Sequence, residues 1–192
     1  VPTKIDRFEQ KLDKARMRIK RSEDRQVIES VFDTKTLLTL YELLKKRVIE
    51  EINGCIATGK EANIYWAVQP DGTDIALKIY RITTFNFKGI TQYIEGDPRF
   101  TRIPRSRSGL ITAWATKEFK NLQRAESVGV RVPKPIMVKS NILAMEFIGE
   151  GGLPAPTMQQ MPPENPESVR QEILQAISKL YHKANLVHSD LS

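Results

Sequence analysis

One charged side chain interrupts the apolar run Ile75-Ala76-Leu77-Lys78-Ile79-Tyr80. Branched and aromatic residues favour a strand there, and strand alternation puts Lys78 on the face opposite Leu77 and Ile79. A lysine on a half-buried strand needs an anion, because an unpaired charge out of water is costly. The fold must therefore bring a negative group to Lys78 or turn it to solvent. A helical run over 114–122 offers such a group. Trp114, Glu118 and Leu122 recur at four-residue spacing, so Glu118 lies on a packing face. A surface ion pair with a neighbouring lysine is the competing reading for Glu118.

Around this pair the pattern predicts an ordered series of elements. Asp33 is a candidate N-cap for a helix whose Leu37, Leu40, Tyr41, Leu44 and Val48 share one face. Strands are expected over 52–57, 62–68 and 75–80, with Pro70-Asp71-Gly72 as a hairpin turn. The helix is expected over 110–127, stopped by Gly129. A strand pair follows over 135–138 and 141–148, then a linker rich in glycine and proline. Asn165 and Pro166 are read as N-cap and first position of a last helix. Its Val169, Ile173, Ala176, Ile177, Leu180 and Ala184 form one apolar stripe. Leu186-Val187 is read as a short strand leading into His188-Ser189-Asp190-Leu191-Ser192.

Between the first two strands, Gly54-Cys55-Ile56-Ala57-Thr58-Gly59-Lys60 matches seven positions of a Walker A loop. The eighth is Glu61, where that loop needs a hydroxyl for magnesium, and Asn63-Ile64-Tyr65-Trp66 continues as strand instead of helix. The segment fits better as a strand–turn–strand lid. Gly59 would let backbone approach phosphate oxygens, with Thr58 and Lys60 as donors. An ordinary polar hairpin remains the alternative.

The net charge of +7 is unevenly spread. Residues 1–30 carry nine basic against six acidic side chains, and residues 81–110 carry six against two. A polyanion such as RNA would meet these segments well; plain solvated surface is the other reading. The single cysteine, Cys55, excludes an internal disulfide and a zinc cluster, which fits a reducing, cytoplasmic setting. No apolar run approaches the length of a membrane span.

As a set, these residues resemble the RIO family of atypical protein kinases, its Rio-one type in particular. The likeness rests on Thr58-Gly59-Lys60-Glu61-Ala62, the run 75–80, Trp114-Ala115 with Lys117-Glu118, the run 144–149, and Leu186 to Ser192. It covers nearly all of residues 34–192. It implies an α+β, protein-kinase-like two-lobe fold: an antiparallel-sheet N-lobe with helices, then the start of a helical C-lobe. Expected divisions are a basic helical extension over 1–33, an N-lobe over 34–148 with a flexible insertion at 81–109, and a hinge with the C-lobe's start over 149–192.

The same resemblance implies an ATP- and magnesium-dependent serine/threonine kinase, or an ATPase, in maturation of the small ribosomal subunit. Its partners would be ATP and the subunit precursor with its RNA, with no membrane. Lys78 and Glu118 would hold phosphates, Thr58, Gly59 and Lys60 would cover them, and Asp190 would be the catalytic Asp that orients or accepts the proton of the attacking hydroxyl. Backbone at Glu146 and Ile148 would meet adenine, leaving the Glu146 side chain idle, with Met145 behind. No metal ligand is assignable, and the magnesium ligands are expected beyond Ser192. A kinase-shaped scaffold that binds RNA without chemistry is the competing class. Self-phosphorylation is expected in the insertion, at Ser106 or Ser108.

Overall fold

The computed structural model describes residues 32–82, 97, 104 and 106–189. Its centre is a five-stranded antiparallel sheet in the order β1-β2-β3-β5-β4. The strands are β1 (Glu51–Thr58), β2 (Ala62–Val68), β3 (Asp74–Tyr80), β4 (Pro135–Lys139) and β5 (Ile142–Glu146). Helix α1 (Thr34–Lys45) lies before the sheet, α2 (Arg107–Ser127) between β3 and β4, and α3 (Pro166–Ala184) after a two-residue hairpin, β6 (Gly149–Glu150) with β7 (Leu153–Pro154).

Strand alternation sorts the core. Ile75, Leu77 and Ile79 join Leu37, Leu40, Leu43 and Leu44 of α1 in one cluster. Ala76 and Tyr80, from the same strand, join Leu110, Ile111, Ala113 and Ala115 of α2 in another. The sheet is thus covered by a different helix on each face. α1 starts where expected: the Asp33 carboxylate accepts from the amides of Lys35 and Thr36. Val48 lies beyond the end of this helix, and Leu43 is its most deeply buried leucine.

The 69–73 turn closes as its sequence suggests. Gly72 takes φ +85°, where a side chain would be strained, and its N–H donates to the Gln69 carbonyl at 2.9 Å. The loop between β1 and β2 runs from strand to strand with no helix after it, so a Walker loop is excluded.

Several elements differ from expectation. α2 begins at Arg107, three residues early, with Ser106 accepting from the Gly109 amide as N-cap. A polar first turn hides such a start from hydrophobic periodicity. β5 is shorter than 141–148: it spans Ile142–Glu146, with Asn141 in the turn before it and residues 147–148 without regular structure. Leu186-Val187 is no strand: Asn185 ends α3 in the left-handed region (φ 51°), and residues 185–189 have no regular structure. The linker is partly built, since Gly152 packs against the Trp66 indole so closely that a Cβ would lie 2.5 Å from it.

α3 is capped by Asn165, with Pro166 in its first turn. Of its expected stripe only Ala184 is buried, while Ile173 is exposed. Residues 1–31 and most of 83–105 lie outside the described residues, so the extension and the bulk of the insertion do as well. No helix among the described residues is long and apolar enough to cross a membrane.

Candidate functional site

A cavity of about 550 Å³ opens on the α2 side of the sheet. The β1–β2 turn covers it with Thr58, Gly59 and Lys60, and Lys78, Tyr80 and Glu118 line it further in. Its size lies within the range of ligand pockets.

Lys78 and Tyr80 are two residues apart on β3 and so share the face that α2 covers. From α2, Glu118 meets both. The Lys78 ammonium donates to Glu118 Oε1 at 2.7 Å and to Oε2 at 2.9 Å. The Tyr80 hydroxyl donates to Oε2 as well. The ammonium also lies 5.3 Å from the centre of the Tyr80 ring, close enough for a cation–π contact. Lys78 and Glu118 each keep about a quarter of their side-chain surface exposed (27% and 28%). A pair so open to water adds little stability; its consequence is positional. Burial, and then the Glu118 charge, push the Tyr80 phenol well above its usual range, so it stays a neutral donor.

Gly59 has a narrower part than expected. Its N–H is spent on the Ala62 carbonyl at 2.9 Å, and a Cβ there would stand 3.1 Å from that oxygen. The residue keeps the turn tight. Thr58 and Lys60 stand beside it at the rim of the cavity.

Met145, Glu146 and Ile148 do not line this cavity. Met145 is buried opposite Ala76 of β3. Ile148 is 43% exposed, and its carbonyl accepts from the Ala155 N–H at 2.9 Å. The Glu146 side chain is far from idle. It takes a forked pair of bonds from Arg131, at 2.8 and 3.2 Å, and one from the Lys134 amide at 3.0 Å. Arg131 and that amide hold its carboxyl below the usual value of 4.5. Asp190 lies outside the described residues.

Tyr80 is the site residue that sequence reasoning missed. Its signal was its place two residues beyond Lys78, hence on the same face, masked because an aromatic at a strand end reads as core. No group of three His, Cys, Asp or Glu side chains among the described residues could hold a metal ion.

Comparisons with known proteins agree on one lineage. The RIO domain family matches residues 63–192. The RIO-type serine/threonine-protein kinase Rio1 of Haloferax volcanii is 41% identical over 97% of this chain and 64% of its own length. The human serine/threonine-protein kinase RIO1 is 38% identical over 91% of the chain, which spans 32% of it. Serine/threonine-protein kinase RIO3 of Caenorhabditis elegans is 33% identical over 98% of the chain and 37% of its own length. The chain therefore spans between about a third and two thirds of these relatives. In fold it is similar to the Rio2 kinase–ADP/Mg2+–phosphoaspartate complex of Chaetomium thermophilum, at a TM-score of 0.56, 22% identity, and coverage of 76% of this chain and 40% of that one. The architecture is thus kinase-like: an antiparallel-sheet N-lobe with its helices, followed by the start of a C-lobe.

Proposed function

Because the chain belongs to the RIO domain family, we propose that it is the nucleotide-binding part of an ATP-dependent atypical serine/threonine protein kinase of the Rio1 type. The observation that carries this reading is the Lys78–Glu118 pair in the cavity under the β1–β2 turn. An ammonium has three N–H donors. Glu118 takes two of them, which leaves one for a phosphate oxygen.

The donor set fits a nucleoside triphosphate. One fixed cation is backed by a carboxylate, with the hydroxyl of Thr58 and the charge of Lys60 at the rim. Ala57, Ala62 and Ile64 give the same cavity an apolar wall. Bound ATP supplies the phosphoryl group to be transferred. Lys78 orients and neutralises the phosphates, Glu118 orients Lys78, and Thr58, Gly59 and Lys60 close over them. Backbone groups at Glu146 and Ile148 are assigned to adenine, with Met145 behind it. Asp190 is assigned to orient the attacking hydroxyl and accept its proton. The described residues hold no set of magnesium ligands.

The proposal extends to partners. The excess of basic residues over 81–110 supports docking on RNA, which we assign to a precursor of the small ribosomal subunit in the cytoplasm. Ser106 and Ser108, at the start of α2, are proposed self-phosphorylation sites. Ser106 caps that helix and Ser108 accepts from the Lys35 ammonium, so their modification would act on α2 itself.

The test is phosphoryl transfer from γ-labelled ATP with magnesium, using the full-length protein and Asp190→Asn. Labelled protein is expected from the wild type, with a loss of roughly 10² to 10⁴-fold in the variant. Absence of transfer by the wild type, or its retention in Asp190→Asn, overturns the assignment.

A further inference from the structure

The kinase reading gives Lys78 and Glu118 their parts and leaves Tyr80 without one. Yet Tyr80 is only 1% exposed, and its hydroxyl ends on the same Glu118 oxygen that Lys78 reaches at 2.9 Å. A glutamate on a helix has three rotatable bonds, and a mobile lysine alone restrains them poorly. A buried phenol restrains them better, because its ring is fixed by packing and only the O–H can turn.

The phenol is itself held at its backbone. The Tyr80 N–H donates to the Asn141 carbonyl at 2.9 Å, and the Tyr80 carbonyl accepts from Asn141 Nδ2 at 2.8 Å. Asn141 is as buried as Tyr80, at 1% exposure, and its Nδ2 also donates to Thr36 Oγ1 at 2.8 Å. The Thr36 hydroxyl in turn donates to Asp33, the cap of α1, at 2.8 Å. Hydrogen bonds thus run from the start of α1, through Asn141 and the end of β3, to the carboxylate on α2.

We propose that Tyr80 is a positioning residue of the phosphate site: its hydroxyl orients the Glu118 carboxylate so that the remaining N–H of Lys78 points at a phosphate. This rests on the kinase reading above. Tyr80 acts through Glu118 and need not touch the nucleotide. Removing the hydroxyl leaves the ring and its packing in place. It frees the carboxylate to swing, so transfer should suffer more than nucleotide affinity.

The experiment uses full-length protein in four forms: wild type, Tyr80→Phe, Glu118→Ala and the double variant. Phosphoryl transfer, affinity for a non-hydrolysable ATP analogue and melting temperature are measured for each. Loss of a hydrogen bond to a charged group predicts a kcat lower by roughly tenfold in Tyr80→Phe. Analogue affinity should stay within about twofold, with little change in melting. In the Glu118→Ala background the same substitution should cost less than about twofold, since nothing remains for it to orient. A merely structural tyrosine would cost the same in both backgrounds, and that result overturns the proposal. So does unchanged transfer per folded molecule in Tyr80→Phe, even where melting falls. Transfer that survives Glu118→Ala in full would bring down the role of the Lys78–Glu118 pair and that of Tyr80 with it, whereas absence of transfer by the wild type would bring down the kinase reading itself.

Discussion

The two faces of β3 are built from alternate residues of one seven-residue strand and answer to different demands. Toward α1 stand Ile75, Leu77 and Ile79, exposed by 0%, 0% and 3%, in one cluster with Leu37, Leu40, Leu43 and Leu44 of the helix. Toward α2 stand Ala76, Lys78 and Tyr80, beside a cavity and a carboxylate. The first face can be stabilised by any well-shaped hydrocarbon. The second holds a partly exposed ion pair whose worth lies in direction. Stability and chemistry are therefore separable on one strand, side chain by side chain.

The largest expected effect on the dry face comes from Leu43→Ala. Leu43 is 1% exposed, and emptying such a site costs about 2–5 kcal/mol of unfolding free energy. Denaturant titration should show that loss while phosphoryl transfer per folded molecule stays within about twofold. A matching loss of transfer would erase the distinction between the faces.

Asn141→Ala sharpens the comparison because Asn141 touches both regions. It strips one donor from the Tyr80 carbonyl and one from Thr36, for about 1–3 kcal/mol. Unlike Leu43→Ala, it should also lower transfer, since it loosens the backbone that carries the Tyr80 phenol. A purely stability-linked change would show that the hydrogen-bonded route from α1 ends at Tyr80.

The smallest effect is expected at the edge of the sheet. Arg131→Ala removes the fork on Glu146, an exposed contact, so neutral-pH melting should stay within about 2 °C. Acid should reveal it. The Glu146 carboxyl is held below its usual 4.5, so its contribution is complete above that value and is lost as pH falls through the depressed one. Acid titration of stability should thus show a weaker decline in Arg131→Ala below pH 4.5. Identical acid limbs would mean that the fork contributes nothing.

Much of this division was legible in the sequence. A lone lysine in an apolar strand demanded an anion, and Glu118 was the acidic residue on the next packing face. The turn at Thr58-Gly59-Lys60 was legible because its failure as a Walker loop is a matter of local chemistry. Tyr80 and Asn141 were not. An aromatic at a strand end reads as core, and an asparagine heading the apolar run 141–148 reads as the first residue of a strand. Only the tertiary arrangement, which brings Thr36 beside Asn141 across more than a hundred residues of chain, gives them their partners. The start of α2 was hidden by its polar first turn. The Leu186-Val187 strand failed because the left-handed Asn185 ends α3 without delivering the chain to a sheet edge.

The central claim, that the Lys78–Glu118 pair on the α2 face of β3 serves phosphoryl transfer and contributes little to stability, is tested most directly at Lys78. Transfer from γ-labelled ATP is measured for full-length wild type and Lys78→Ala at saturating nucleotide, with melting followed alongside. Loss of a preorganised donor to developing charge predicts a fall of roughly 10² to 10³-fold, with melting close to wild type because the pair is partly exposed. Transfer retained within about twofold of wild type, or a fall explained wholly by unfolding, would contradict the account.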